Sequence, residues 1–199
     1  MSYGNFKEVS EVARKFNIEV VDDFFIEQKE IKIPELYFFD LIKKLNSSLN
    51  FINEVTICET IIRPILDRVA EYYDNLDIWS HVPYNVDIKK GLAGEPDYLV
   101  APRTKYGDME KPMLCIMEAK QEKFDEGWAQ ALAEMVASTV LGADRCYSVV
   151  TTGKTWEFGK LENNVFTKHP IRISATSDLQ QVFDSLNWLF YKINKMYSK

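Results

Sequence analysis

The sequence predicts an α/β domain in which a mixed β-sheet is flanked by helices, and three observations lead to it. First, 46% of the 199 residues are hydrophobic and 13% aromatic, enough to fill a core and to exclude global disorder. Second, the segment after residue 52 reads in the order helix, three strands, helix, two strands and a closing helix. Third, Gly, Pro and charged residues punctuate these runs, and no apolar stretch reaches the ~18 residues of a membrane span.

The elements follow from local pattern. Residues 1–52 read as a mainly helical extension packed on a core domain of residues 53–199. Phe6, Val9, Val12, Ala13 and Phe16 recur at helical spacing, and IEVVDDFFIE reads as a strand or a connector. Pro34 sits where a helix can start, with Leu36, Phe39, Leu41, Ile42 and Leu45 as its apolar face. The next helix, over residues 53–73, turns Ile57, Ile61, Ile65, Val69 and Tyr72 inward. Pro64 is expected to kink or break it, because proline lacks the N–H and crowds the carbonyl four residues back.

Strands are expected in IWSHVPYNVDI (78–88), PDYLVA (96–101) and MLCIMEA (113–119). A helix over 125–141 is closed by Gly142, and CYSVVTT and TWEFGKL form two strands turning through Gly153-Lys154. Ser177 is the expected N-cap of the last helix, whose stripe is Leu179, Val182, Phe183, Leu186, Leu189, Phe190, Ile193 and Tyr197.

Charge and cysteine usage narrow the function classes. With 24 Lys+Arg against 30 Asp+Glu the net charge is −6, which argues against a broad basic surface coating nucleic acid but not against one local site. Cys58, Cys115 and Cys146 lack CxxC spacing, so buried thiols are expected rather than a disulfide framework or a zinc site. Residues 1–16 carry no apolar run or small-residue cleavage site, and the expected location is the cytoplasm, with no membrane partner.

Several local signals read as structure. Gly153-Lys154-Thr155 resembles the end of a P-loop, but Ser148 stands where the first Gly is required. Gly91 and Gly94 read as a flexible loop, His81 as a sheet residue, and the four tryptophans as core or sheet anchors.

The chemistry concentrates in GEPDYLVAP (94–102) and MLCIMEAKQEKF (113–124). Strand alternation puts Glu118 and Lys120 on one face, and two charges ending so apolar a strand are costly to desolvate unless paired or bound to metal. Asp97 opens the preceding strand. If the two strands pair, Asp97 and Glu118 converge on one ion, and such oxygen ligands suit Mg²⁺ or Mn²⁺. Lys120 would orient the attacking water or stabilise developing charge.

Pro96-Asp97 followed by Glu118-Ala119-Lys120 resembles the PD-(D/E)xK signature of restriction-endonuclease-like nucleases. The resemblance covers residues 54–152 in the family's order αβββαβ, and implies a restriction-endonuclease-like core with an N-terminal helical extension and a C-terminal helix. Members often carry a metal-holding glutamate on the first core helix, matched here by Glu59, with Glu54 and Asp67 as competitors and Arg63 able to pair with Glu59. Many carry a glutamine on the helix after the ExK strand, matched by Gln130, with Glu134 one turn on.

The resemblance implies a Mg²⁺-dependent endonuclease-like phosphodiesterase, with DNA as the expected nucleic acid. Asp97, Glu118, Lys120 and Gln130 would be catalytic, and Asp97, Glu118 and Glu59 would bind metal. Lys89, Lys90, Arg103, Lys105 and Lys123 would give a basic rim for phosphates, interleaved with acids. A homodimer or larger complex is compatible with two-strand cleavage. The alternative is a catalytically silent nuclease-fold subunit of a restriction, defence or repair complex.

Overall fold

The computed structural model describes residues 2–112, 114–118 and 123–197, with the backbone alone for 115–118. The chain is α/β, with one mixed sheet between helices. The strands are β1 (Glu19–Asp22), β2 (Asp77–Ser80), β3 (Tyr98–Ala101), β4 (Leu114–Glu118), β5 (Arg145–Thr151), β6 (Thr155–Glu162), β7 (Val165–Lys168) and β8 (Ile173–Ser174). The helices are α1 (Val9–Phe16), α2 (Glu35–Leu45), α3 (Glu54–Ile57), α4 (Arg63–Ala70), α5 (Phe124–Val140) and α6 (Leu179–Tyr197). Spatial order across the sheet is β1-β7-β6-β5-β4-β3-β2, with β8 also paired to β6. The β1–β7 and β4–β5 pairs are parallel and the others antiparallel. No helix among the described residues is long and apolar enough to cross a membrane.

Two apolar cores lie on opposite faces. One packs α2, α4 and α6 through residues such as Leu41, Ile65, Val69, Phe183 and Phe190 against Val100, Val149 and Phe158 of the sheet. The other sets Trp128, Leu132 and Met135 of α5 against Leu99, Val150 and Leu161. α5 is buried nearly all round because the sheet covers one side and α1 with the N-terminal segment covers the other. Its alanines let both neighbours approach closely.

The helix carrying Pro64 stays continuous by widening. A π turn, Cys58–Ile62, separates α3 from α4, and the Arg63 N–H reaches back to the Cys58 carbonyl. This extra residue relieves the crowding that Pro64 would impose on the Thr60 carbonyl, so the strain appears as a bulge rather than a break. Tyr98 Oη also donates to the Cys58 carbonyl at 3.0 Å, tying the bulge to the start of β3.

Some local expectations are corrected. Leu36 and Phe39 are exposed at 89% and 63%, because α2 turns Tyr37, Phe38, Leu41, Ile42 and Leu45 to the core instead. Tyr72 is exposed and Tyr73 takes the inward position, donating to Asn187 Oδ1 at 2.5 Å. The expected strand over 78–88 stops at Ser80, where His81 adopts a left-handed φ of 48°. Asp178, not Ser177, caps α6, accepting the Gln181 N–H at 2.9 Å. The four-residue β7 and two-residue β8 were not expected, and β1 joins the sheet edge beside β7.

Candidate active site

The register of the central strands decides which chain ends meet. β3 runs antiparallel to β4 with Tyr98 opposite Ile116, so the start of β3 and the end of β4 lie at the same end of the sheet. Asp97 stands just before β3, in a bend following Pro96, and its carbonyl accepts the His81 N–H at 3.1 Å. Glu118 is the last residue of β4. Its side chain lies outside the described residues, as do Ala119 and Lys120.

A cleft of about 300 Å³ opens at this end of the sheet. Asp97 and Glu95 line it from the β3 loop, Glu54 from the first turn of α3, and Lys123, Glu126, Gly127 and Gln130 from the start of α5. The N-terminal segment closes the remaining wall with Gly4, Phe6 and Lys7. That segment is pinned at Tyr3, whose N–H donates to the Ala93 carbonyl at 2.9 Å and whose hydroxyl donates to the Tyr84 carbonyl at 2.8 Å. Gly94 is a point of close approach rather than a free hinge. A Cβ there would lie 2.9 Å from the Tyr3 ring, at a φ of +151°.

Expected residues divide between places. Asp97 and Gln130 share the cleft, and Lys123 stands at its mouth. On the first core helix it is Glu54 that lines the cleft, while Glu59 is exposed on the π turn. Arg63 pairs with Asp67 at 2.7 Å. Lys89 and Lys90 lie on a short 3-10 turn, Ile88–Lys90, capped by Asp87 and outside the described lining of the cleft. Arg103 and Lys105 follow β3 and so sit at the opposite end of that strand from Asp97. Arg103 pairs there with Asp77 at 3.4 Å, in a second cleft of about 430 Å³.

The polar side of α5 runs from rim to interior. Glu126, Gln130, Glu134 and Ser138 recur every four residues, one above another on the helix. Gln130 Nε2 donates to Glu134 Oε1 at 3.5 Å, and Ser138 Oγ and Tyr84 Oη share a hydrogen bond of 3.0 Å. Glu134 is completely buried, and its Oε2 has no hydrogen-bond partner. Burial first, and then the charge of Asp97, push its carboxyl well above the ordinary carboxylate range, with the Gln130 hydrogen bond opposing them.

The cleft is therefore acid-rich, with Glu54, Glu95, Asp97 and Glu126 against Lys7 and Lys123. Among the described residues, no three His, Cys, Asp or Glu side chains are grouped closely enough to hold a metal ion. A Mg²⁺ site needs fewer, since that ion is held by one or two carboxylates and retains water. Cys58 and Cys146 are buried on other elements.

The missed participants had weak local signatures. Lys7 belongs to the N-terminal extension, and nothing in its neighbourhood points to a site 90 residues away in sequence. Glu126 four residues before Gln130, and Ser138 four after Glu134, were a signal, legible once α5 is drawn as a helix. Compared with protein-family models and with curated proteins, the sequence matches none.

Proposed function

We propose that this cleft is the active site of a metal-dependent nuclease with a restriction-endonuclease-like core, hydrolysing phosphodiester bonds of nucleic acid, with DNA as the expected substrate. The observation that carries the reading is the meeting of Asp97 and Gln130 in one acid-rich cleft at the end of the sheet where β4 delivers Glu118. Asp97 and Glu118 would hold a Mg²⁺ or Mn²⁺ ion, with Glu54 in the place expected for Glu59. The excess of carboxylates lining the cleft fits a site built around positive charge. When bound, such an ion supplies Lewis acidity toward a phosphoryl oxygen and lowers the pKa of a coordinated water.

The chain's own groups take defined roles in this reading. Gln130 spends its amide N–H on Glu134, which leaves the carbonyl Oε1 as an acceptor on the cleft wall. That oxygen would hold a proton of the attacking water and orient the water's lone pair toward phosphorus. Lys120 would neutralise charge developing on the phosphoryl oxygens. Lys7 and Lys123 lie at the mouth, where the polyanion must approach.

The test is cleavage of single- and double-stranded DNA by the purified protein with Mg²⁺ or Mn²⁺. Cleavage lost in Asp97→Ala and in Lys120→Ala supports the reading. An inert wild type, or variants that cleave like it, sinks it. The net charge of −6 and the acid-rich lining of the cleft favour one second reading, a nuclease-fold binding or assembly subunit without catalysis. Calorimetric titration with Mn²⁺ separates the two, because the subunit needs no binding that depends on Asp97 and Glu118.

A further inference from the structure

We infer that Lys7 and Lys123 form a clamp for one backbone phosphate of a nucleic-acid strand, and that Glu126 occupies this clamp in the free protein. The inference rests on the cleft being a phosphodiester site and names how that substrate is held.

The two lysines come from distant parts of the chain and bracket one anion. Lys123 Nζ lies 3.4 Å from Glu126 Oε1, and Lys7 Nζ lies 3.5 Å from Glu126 Oε2. Each carboxylate oxygen therefore faces a different ammonium group. A phosphodiester presents the same pattern, two equivalent oxygens on one centre sharing a negative charge. All three side chains line the cleft that holds Asp97 and Gln130, so a phosphate in the clamp stands next to the carboxylate floor.

The arrangement is poised for exchange. The lysine side chains are 61% and 59% exposed, and both contacts exceed the 2.7–2.9 Å typical of a tight ammonium–carboxylate hydrogen bond. Lys123 first, and Lys7 second, hold the Glu126 carboxyl below its ordinary range, so it stays ionised and competes as an anion at neutral pH. An exposed pair of this kind contributes little to stability and is easily replaced by a doubly coordinated phosphate. An adjoining groove of about 310 Å³ shares Lys123 and Glu126 and adds Arg172, a path along which the strand would continue.

Lys7 has no role in the sheet or in either core. It is delivered to the cleft by the anchoring of Tyr3 under Gly94 and by α1 behind it. Until Glu126 is displaced, it offsets one of the clamp's two positive charges, and the acids lining the cleft outnumber the lysines. Glu126 thus acts as an internal competitor that sets how tightly the substrate is held.

Fluorescence anisotropy of a labelled DNA duplex, titrated in EDTA over a series of KCl concentrations, tests this without requiring cleavage. Lys7→Ala and Lys123→Ala should each weaken binding severalfold and flatten the log–log salt slope by about one. Glu126→Gln should tighten binding severalfold. Circular dichroism melting should show all three variants folded, since the substituted side chains are exposed or at the rim. Lysine variants that bind like the wild type, a Glu126→Gln that binds no tighter, or a wild type with no salt-dependent binding each overturn the clamp. The nuclease reading fails separately. Lysine-dependent binding without cleavage leaves the clamp and removes the nuclease, while Asp97-dependent cleavage indifferent to both lysines does the reverse.

Discussion

Gln130 donates its amide N–H to Glu134 across one turn of α5, and the carboxyl that receives it is sealed from solvent. The pair joins a wall of the cleft to a carboxyl that its surroundings keep from ionising. Because Asp97 stands beside Glu134, neither acid can be understood alone.

Glu134 should make the protein less stable as pH rises. Burial lifts its folded-state pKa well above the ordinary 4.5, so between these values the folded chain keeps a proton that the unfolded chain has released. The folded state then binds more protons, and stability falls with rising pH by up to about 1.4 kcal/mol per pH unit. The effect is absent below the unfolded pKa and complete above the folded one. Urea denaturation of wild type and Glu134→Gln in EDTA checks it, since the difference between them should grow steadily above pH 4.5. Parallel curves would contradict it.

Glu54 and Glu59 should behave differently. Only Glu54 lines the cleft, and it does so from the turn capped by Asn53 Oδ1, which accepts the Thr56 N–H at 2.9 Å. Under the proposed function, Glu54→Gln should lower Mn²⁺ affinity and cleavage about 10-fold or more, the range seen when groups supporting a metal site are lost. Glu59→Gln, on the exposed π turn, should leave both unchanged. Calorimetry and initial rates on the same two variants settle the order.

Gly94→Ala should loosen the N-terminal wall. The added methyl meets the Tyr3 ring at 2.9 Å, and the φ of +151° is one that alanine adopts only under strain. A loss of about 1–3 kcal/mol is expected, with Tyr3 and the segment behind it displaced. Under the proposed function the substrate half-saturation should rise more than the turnover rate falls, because Lys7 moves while Asp97 and Gln130 stay. Thermal melting and steady-state kinetics measure the two parts.

Gly159→Ala should destabilise the fold for a reason unrelated to backbone freedom. A Cβ at Gly159 would come within 2.6 Å of the Trp128 ring and 2.8 Å of Phe166. Trp128 has little room to yield, since its indole N–H donates to the buried Glu157 at 2.5 Å and Lys168 and Arg172 hold that same carboxylate. Overpacking of this kind costs about 1–3 kcal/mol, readable as a drop in the urea midpoint.

Much of the architecture was legible because periodicity survives without tertiary context. The stripe from Leu179 to Ile193, the hairpin at Gly153 and the closure of α5 at Gly142 all express local chemistry. The pairing of β1 with β7 did not, since four-residue strands joined in parallel across most of the chain leave no local mark. Asp97 and Gln130 could be read from the sequence because one opens a strand and the other interrupts an alanine-rich helix. Glu54 and Glu59 could not be ranked, because a regular helix gives no warning of the π turn that carries Glu59. Glu157 was hidden differently. Its alternation inside TWEFGKL looks ordinary, and only the fold brings Lys168, Arg172 and Trp128 to it.

The pairing of Glu19 with Val165 also sets the order in which the molecule can be finished. β1 leaves the ribosome before β7 is made and must wait for it, an interval on the order of ten seconds at ordinary elongation rates. Tyr3 and Lys7 precede β1 in the chain, and their wall of the cleft closes only once the loop at Ala93 and helix α5 have followed. Under the proposed function, a half-made molecule carries no finished cutting site into the RNA-rich surroundings of its birth. Docking of the N-terminal segment and arming of the site become one event.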